Sequence, residues 1–164
     1  MEAKLPAVTY LLMPKQLLIA DDSYLIRETI KNVLSGRTDI AVCGEASNGL
    51  EAVEKAKTLK PDLILLDLAM PEMNGAETAS VLKMTVPGVR IILFTMYSEN
   101  VGSYLTSAIG IDAVLSKPDG MTALLSAIET ALTPTSTLIE EQKSTQKPAE
   151  TTLPTVELRK ASQV

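Results

Sequence analysis

Short apolar runs, each closed by a polar or turn-forming residue, alternate along the chain with segments of helical spacing. The run at 63–66 is wholly apolar and lacks the alternation of a half-exposed strand. Such a run is typical of a strand buried on both faces, as in a parallel sheet covered by helices. Similar runs predict strands at 16–20, 40–43, 89–94 and 111–116.

The segments that follow the strands predict helices, because their apolar residues recur three and four positions apart. The first two helices are expected to bury one set each, namely Ile26, Ile30, Val33 and Leu34, then Leu50, Val53, Ala56 and Leu59. Ser23 and Asn48 precede them as side-chain caps. Five strands alternating with five helices through short loops predict an α/β fold with a doubly wound five-stranded parallel sheet.

The ends of the chain differ from this domain. From Thr133 onward Thr, Pro, Ser, Gln, Lys and Glu dominate, which predicts a disordered tail that cannot bury enough apolar surface to fold. Met13 immediately precedes the first strand and would make a natural start. We therefore expect an N-terminal extension at 1–14, one domain at 15–132 and a low-complexity tail at 133–164.

Composition narrows the classes of function. The formal net charge of −5 gives no basic surface for nucleic acid. The absence of histidine excludes His-based metal sites, Ser-His-Asp chemistry and a phosphohistidine on this chain. The single cysteine, Cys43, excludes an internal disulfide and indicates the reducing cytoplasm. No apolar run approaches the length of a membrane span, about 18–20 residues.

Polar side chains stand at the carboxyl ends of four predicted strands. Asp21 and Asp22 follow the first strand, Asp67 follows the third, Thr95 ends the fourth and Lys117 follows the fifth. Each alone has an ordinary explanation as a cap, a strand end or a surface cation. Together they converge on the edge where open α/β sheets bind their ligands, which predicts a functional site.

The charges of these residues suggest the chemistry. Three clustered carboxylates repel one another unless a cation lies between them, and Mg²⁺ prefers such oxygen ligands. The ion would also allow a phosphoryl group to approach Asp67, whose carboxylate can act as the nucleophile. Lys117 would supply a positive charge and Thr95 a hydroxyl donor to the phosphate oxygens.

Over about residues 15–132 the chain resembles the receiver domain of two-component response regulators, and within that family it looks closest to receivers of LuxR-type regulators. The resemblance rests on Asp21-Asp22, the Asp67-Leu-Ala-Met-Pro-Glu-Met-Asn-Gly75 segment, Thr95 and Lys117-Pro118, in order and at matching spacing. It implies a flavodoxin-like strand order of 2-1-3-4-5.

The resemblance also implies roles for these residues. Asp67 would be the phosphoacceptor, and Mg²⁺ would be bound by Asp21, Asp22, Asp67 and the backbone carbonyl of Ala69. Thr95 would be the switch hydroxyl and Lys117 the phosphate partner. A cis peptide bond would join Lys117 to Pro118 and aim the lysine inward.

The implied partners are a sensor histidine kinase or phosphotransfer protein and an unknown downstream target. The surface of the fourth helix, fifth strand and fifth helix would bind that target or a second copy of the chain as a homodimer. The chain would be a bacterial cytoplasmic phosphoprotein that catalyses only its own phosphoryl transfer and slow self-dephosphorylation, with no membrane or nucleic-acid partner. It would be either a regulator acting alone or the receiver part of a longer protein.

Three positions depart from the usual family pattern. Val114 stands three residues before the lysine, where the family commonly has an aromatic switch residue that Tyr97 or Tyr104 would have to replace. Ala69 and Tyr97, two positions after Asp67 and Thr95, offer no acid or amide to position a water molecule. We therefore expect slow self-dephosphorylation.

Three alternatives share part of this pattern. A pseudo-receiver would bind partners without being phosphorylated; Val114 favours it, and the intact Asp22, Asp67, Thr95 and Lys117 argue against it. A phosphatase of the haloacid-dehalogenase class would need a second aspartate where Ala69 stands. A flavodoxin-like flavin binder would need a phosphate-binding loop and stacking aromatics that the chain lacks.

Overall fold

The computed structural model describes residues 13–96 and 107–133. They form one parallel sheet in the order β2-β1-β3-β4-β5. The strands are β1 Lys15–Ala20, β2 Ile40–Ala46, β3 Leu63–Leu66, β4 Arg90–Thr95 and β5 Ala113–Ser116. The predicted α/β fold and its 2-1-3-4-5 strand order are therefore confirmed.

The helices alternate with the strands along the chain. They are α1 Tyr24–Leu34, α2 Gly49–Leu59, α3 Gly75–Thr85, α4, of which residues 107–109 are described, and α5 Gly120–Leu132, which follows a single 3₁₀ turn at Lys117–Asp119. Ser23 and Asn48 cap α1 and α2 as predicted, each accepting a hydrogen bond from a backbone N–H three residues on. No helix among the described residues is long and apolar enough to cross a membrane.

The core lies on both faces of the sheet. In β3, Leu63 and Leu65 pack on the face covered by α1 and α5, whereas Ile64 and Leu66 pack on the face covered by α2 and α3. Successive side chains of a strand point to opposite faces, so a strand covered on both faces needs an apolar residue at every position. This arrangement explains the uninterrupted apolar run.

The predicted burial of the first two helices was partly wrong. Leu50 and Leu59 are 48% and 39% exposed, and Val33 in α1 is 38% exposed. The buried face of α2 consists mainly of small residues, Gly49, Ala52, Val53 and Ala56. At Gly49 a Cβ atom would lie 2.4 Å from the Met73 carbonyl oxygen, so this end of α2 lies directly against the backbone of the β3–α3 loop. Large side chains on this face would prevent the close approach, so the leucines of α2 lie away from the contact.

Candidate functional site

The loop after β1 carries two of the predicted acidic residues. The Asp21 backbone N–H donates to the carbonyl of Ala46, at the end of β2, over 3.1 Å. Its carboxylate is 3% exposed, and Oδ1 accepts a hydrogen bond from the Ser23 N–H at 2.9 Å. Asp22, the next residue, is exposed. The end of β1 therefore presents one buried and one exposed carboxylate side by side.

Asp67 directly follows β3. Its N–H donates to the Ala20 carbonyl at 2.8 Å, which keeps the residue in register with the end of β1. Its side chain is 5% exposed, and Oδ1 accepts from the Leu68 N–H at 2.8 Å. The two neighbouring strands thus bring Asp21 and Asp67 to the same edge, as predicted from their positions at the strand ends.

The loop after Asp67 folds tightly back over it. Gly75, the first residue of α3, donates its N–H to the Leu68 carbonyl at 2.9 Å. A Cβ atom on Gly75 would lie 2.2 Å from the carbonyl oxygen of Asp67, so any larger residue here would force the backbone of this loop to shift. Sequence reasoning used Gly75 only as part of a motif and missed this spatial requirement, which a single sequence does not reveal.

Lys117 connects the two buried carboxylates. Its Nζ lies 2.7 Å from Asp21 Oδ2 and 3.3 Å from Asp67 Oδ2, and its side chain is only 11% exposed. Burial raises the pKa of Asp21 above its usual value, and the Lys117 ammonium opposes that rise. The expected cis bond before Pro118 was wrong, because the described residues contain no cis peptide. The trans chain enters a 3₁₀ turn that starts at Lys117, and the ammonium still reaches both carboxylates.

Thr95 and Val114 lie on β4 and β5, the two strands on one side of β3. Thr95, the last residue of β4, is 1% exposed and pairs in register with Ser116 of β5. Val114 pairs with Leu93 and lies half-buried against the apolar cluster on the α2–α3 face. Tyr97 and Tyr104 lie outside the described residues.

The acidic residues have the geometry of a cation site. Asp21, Asp22 and Asp67 each offer a carboxylate oxygen, and the three oxygens lie within 4.8 Å of one another. Three carboxylates and one ammonium leave an excess of negative charge, which a hard divalent ion with oxygen ligands neutralises. The donor set therefore fits Mg²⁺. The exposed Ala69, in the loop after Asp67, offers only its backbone as a further ligand.

Comparison with known proteins identifies the same region. The family model described as "Response regulator receiver domain" matches residues 17–129. The response regulator protein VraR of Staphylococcus saprophyticus is 37% identical over 116 residues, covering 71% of this chain and 56% of VraR. The chain thus spans about half the length of the curated relatives it matches.

Solved structures agree with this comparison. The signal receiver domain of the putative response regulator NarL from Mycobacterium tuberculosis has a TM-score of 0.66 at 30% identity, covering 72% of this chain and 96% of that domain. The response regulator domain of Thermotoga maritima CheB has a TM-score of 0.60 at 30% identity, covering 80% of this chain and 95% of that domain. The residues that the family model matches, 17–129, include Asp21, Asp22, Asp67, Thr95 and Lys117, which form the acidic edge of the sheet.

Proposed function

Because the chain belongs to the response regulator receiver family of two-component systems, we propose that it is a switch phosphorylated on Asp67. The donor is a sensor histidine kinase or a phosphotransfer protein. The observation that supports this most directly is the buried Asp67 carboxylate, which shares the Lys117 ammonium with Asp21. A carboxylate held in this way is oriented and lies close to a cation at the carboxyl edge of the sheet.

The proposed reaction is a phosphoryl transfer between two covalent carriers. A carboxylate oxygen of Asp67 attacks phosphorus, the bond from phosphorus to the donor's imidazole nitrogen breaks, and the bonding electron pair leaves with that nitrogen. Asp21, Asp22, Asp67 and the Ala69 carbonyl would hold Mg²⁺, which when bound would supply positive charge to offset the phosphoryl oxygens. The Leu68 N–H keeps Asp67 oriented throughout.

The phosphoryl group then changes the contacts of its neighbours. A dianionic group on Asp67 attracts Lys117 away from Asp21 and draws the Thr95 hydroxyl toward its oxygens. Both residues belong to the β4–β5 side of the sheet, where Thr95 and Ser116 are paired. We expect the change to bias the surface formed by α4, β5 and α5, which then binds a downstream target or a second copy of the chain.

The residues around Asp67 affect how long the switch stays on. Ala69 is exposed on the loop after Asp67 and has no polar side-chain atom to orient a water molecule. Tyr97, outside the described residues, has the second flanking position and offers no acid or amide. The proposed outcome is slow self-dephosphorylation and no activity on other substrates. Cytoplasmic location and the absence of nucleic-acid or membrane partners belong to the same proposal.

Intact mass measurement tests the proposal. The wild-type protein and two variants are incubated with acetyl phosphate or phosphoramidate, with Mg²⁺ or with EDTA. The variants are Asp67→Asn and, as a matched control at the other end of β3, Asp62→Asn. We expect wild type and Asp62→Asn to gain one phosphoryl group with Mg²⁺ only, and Asp67→Asn to gain none. No gain by the wild type, where a control receiver is labelled, would contradict the proposal.

A phosphorylation-independent pseudo-receiver is the second candidate, and Val114 favours it. A half-buried valine on β5 cannot make the aromatic movement by which a phosphoryl signal is passed to the surface in related proteins. Under this alternative, a target protein would bind wild type and Asp67→Asn with equal affinity, whether or not a phosphoryl donor is present.

A further inference from the structure

Arg27 of α1 contacts the loop that carries Asp21 and Asp22, although the phosphoryl transfer proposed above does not use it. Its side chain is only 13% exposed. Nε donates to Glu45 Oε2 at 3.0 Å, and Nη1 donates to the backbone carbonyl of Asp21 at 2.6 Å. One planar guanidinium therefore joins a carboxylate on β2 to the loop that follows β1.

The carbonyl that Arg27 holds belongs to the peptide unit joining Asp21 to Asp22. A peptide unit is planar, so fixing its carbonyl fixes the direction in which the chain enters Asp22. On the other side of Asp21, the N–H donates to Ala46 at 3.1 Å. Both peptide units that flank Asp21 are thus anchored to groups outside the loop.

Asp22 has greater need of this backbone anchor than Asp21. The Asp21 carboxylate is held by Ser23 and Lys117, and the Asp67 carboxylate by Leu68 and Lys117. Within residues 13–96 and 107–133, no hydrogen bond or ion pair holds the Asp22 carboxylate. Its carboxylate oxygen nevertheless lies within 4.8 Å of an oxygen of each of the other two. Among the residues that the structure describes, only its own backbone directs it there.

We propose that Arg27 is a positioning residue for the cation site. By holding the peptide between Asp21 and Asp22, it aims the Asp22 carboxylate at the point that Asp21 and Asp67 share. Glu45 acts through Arg27, because its carboxylate fixes the orientation of the guanidinium fork. The inference rests on the proposed function, in which that point is the Mg²⁺ position.

Charge and geometry predict opposite effects for the loss of Arg27, which makes the inference testable. Removing a cation close to an acidic site strengthens the binding of a divalent cation if only electrostatics matters. Removing a positioning contact weakens binding, because Asp22 then samples other directions. Lys31 offers a matched control, since its Nζ pairs with the same Glu45 at 2.6 Å and, in the described part of the chain, no hydrogen bond joins its side chain to the Asp21–Asp22 peptide.

The experiment measures the Mg²⁺ dissociation constant by titration calorimetry on the full chain. The variants are Arg27→Ala, Arg27→Lys and Lys31→Ala, and thermal unfolding in EDTA reports their stability separately. We expect Arg27→Ala to bind Mg²⁺ about tenfold more weakly, as is common when a group that orients a metal ligand is removed. Arg27→Lys keeps the charge without the fork and should also bind more weakly. Lys31→Ala should bind as tightly as wild type.

The inference would be overturned by unchanged or tighter Mg²⁺ binding in Arg27→Ala, or by equal weakening in Lys31→Ala. If Arg27→Ala is unfolded in EDTA, Arg27→Lys decides between charge and geometry by the same measurement. A wild-type protein that binds no Mg²⁺ would overturn the metal-dependent function itself and this inference with it. That result can be distinguished from the two outcomes named first, because in both of those the wild type still binds Mg²⁺.

Discussion

Aspartates stand at both edges of this sheet, and their surroundings differ. Asp62, just before β3, accepts hydrogen bonds from the Gln16 N–H at 2.8 Å and the Lys15 ammonium at 3.1 Å. Asp112, just before β5, accepts from the Ile91 N–H at 2.8 Å and pairs with two cations, Lys83 and Arg90. Each of these two aspartates thus joins the start of a neighbouring strand and has a cation of its own.

At the carboxyl edge, by contrast, carboxylates outnumber cations. Asp21 and Asp67 are 3% and 5% exposed and share the ammonium of Lys117, while Asp22 stands beside them. Buried carboxylates are normally paired individually, because an uncompensated charge away from water is costly. The amino edge uses its carboxylates to hold strands together. The carboxyl edge holds an excess of negative charge in a place suited to a cation.

Glycine substitution at the two edges should give the largest effect on stability. In Gly75→Ala the new methyl group would meet the Asp67 carbonyl at 2.2 Å, so backbone must move, and we expect a loss of about 2–3 kcal/mol. Gly88, in the turn before β4, has φ +82 and open space around it, so Gly88→Ala should cost about 1–2 kcal/mol through backbone strain alone. Urea unfolding measures both.

Phosphoryl uptake distinguishes these two glycine variants further. Gly75→Ala displaces the backbone of Asp67 and should lower the rate of uptake from acetyl phosphate, whereas Gly88→Ala should leave it unchanged. Equal rates in the two variants would show that the close contact at Gly75 has no bearing on the site.

The same chemical change should have opposite signs at the two edges. Asp112→Asn weakens two ion pairs and should lower the free energy of unfolding by about 2 kcal/mol. Asp67→Asn keeps an acceptor for the Leu68 N–H and removes repulsion from Asp21, so in EDTA it should raise that free energy by about 1 kcal/mol. Urea unfolding of both variants in EDTA checks this. A loss of stability in both would contradict the distinction between the edges.

The smallest effect on stability is expected at Glu51, whose carboxylate, like those of Asp62 and Asp112, has a cationic partner. Hydrogen bonds from Lys55 and then from the Ser47 N–H lower the pKa of Glu51 from 4.5 to about 2. Because the folded-state pKa is depressed, its contribution to stability is complete above about pH 4.5 and is lost as the pH falls toward about 2. Its side chain is 35% exposed, so solvent limits that contribution to about 1 kcal/mol or less.

Comparing wild type with Glu51→Gln by urea unfolding at neutral pH and at about pH 3 tests this dependence. The wild type should be more stable at neutral pH, and its advantage should shrink on acidification. An advantage that is constant with pH would show that the Glu51 carboxylate contributes by packing and not by charge.

The sequence pattern predicted the parallel sheet and the shared edge of its carboxylates for physical reasons, whereas the strand order was implied by the family resemblance. The wholly apolar β3 fits only a strand covered on both sides, and parallel strands necessarily bring Asp21 and Asp67 to one edge. The pattern was less informative for α2, where burial follows the small residues Ala52 and Ala56 as well as Val53. Hydrophobicity alone favours leucine at buried positions, but where two backbones pack closely there is room only for small side chains.

Contacts between distant elements were beyond prediction. β2 extends to Ala46 past an irregularity at which its register with β1 shifts by one residue, since Leu17 pairs with Val42 and Leu18 with Gly44. That extension lets Ala46 accept the Asp21 N–H and lets Glu45 reach Arg27. The sequence did not predict this contact of Arg27, since no local pattern marks which backbone carbonyl a guanidinium will meet.

The most direct test of the difference between the two edges is a Mg²⁺ titration followed by ¹⁵N amide NMR. The Ser23 and Leu68 amides donate to the carboxylates of Asp21 and Asp67, and the Gln16 and Ile91 amides donate to those of Asp62 and Asp112. A cation bound at the carboxyl edge should shift the first pair strongly and leave the second pair in place. Equal shifts at both edges, or none at Ser23 and Leu68, would contradict the account.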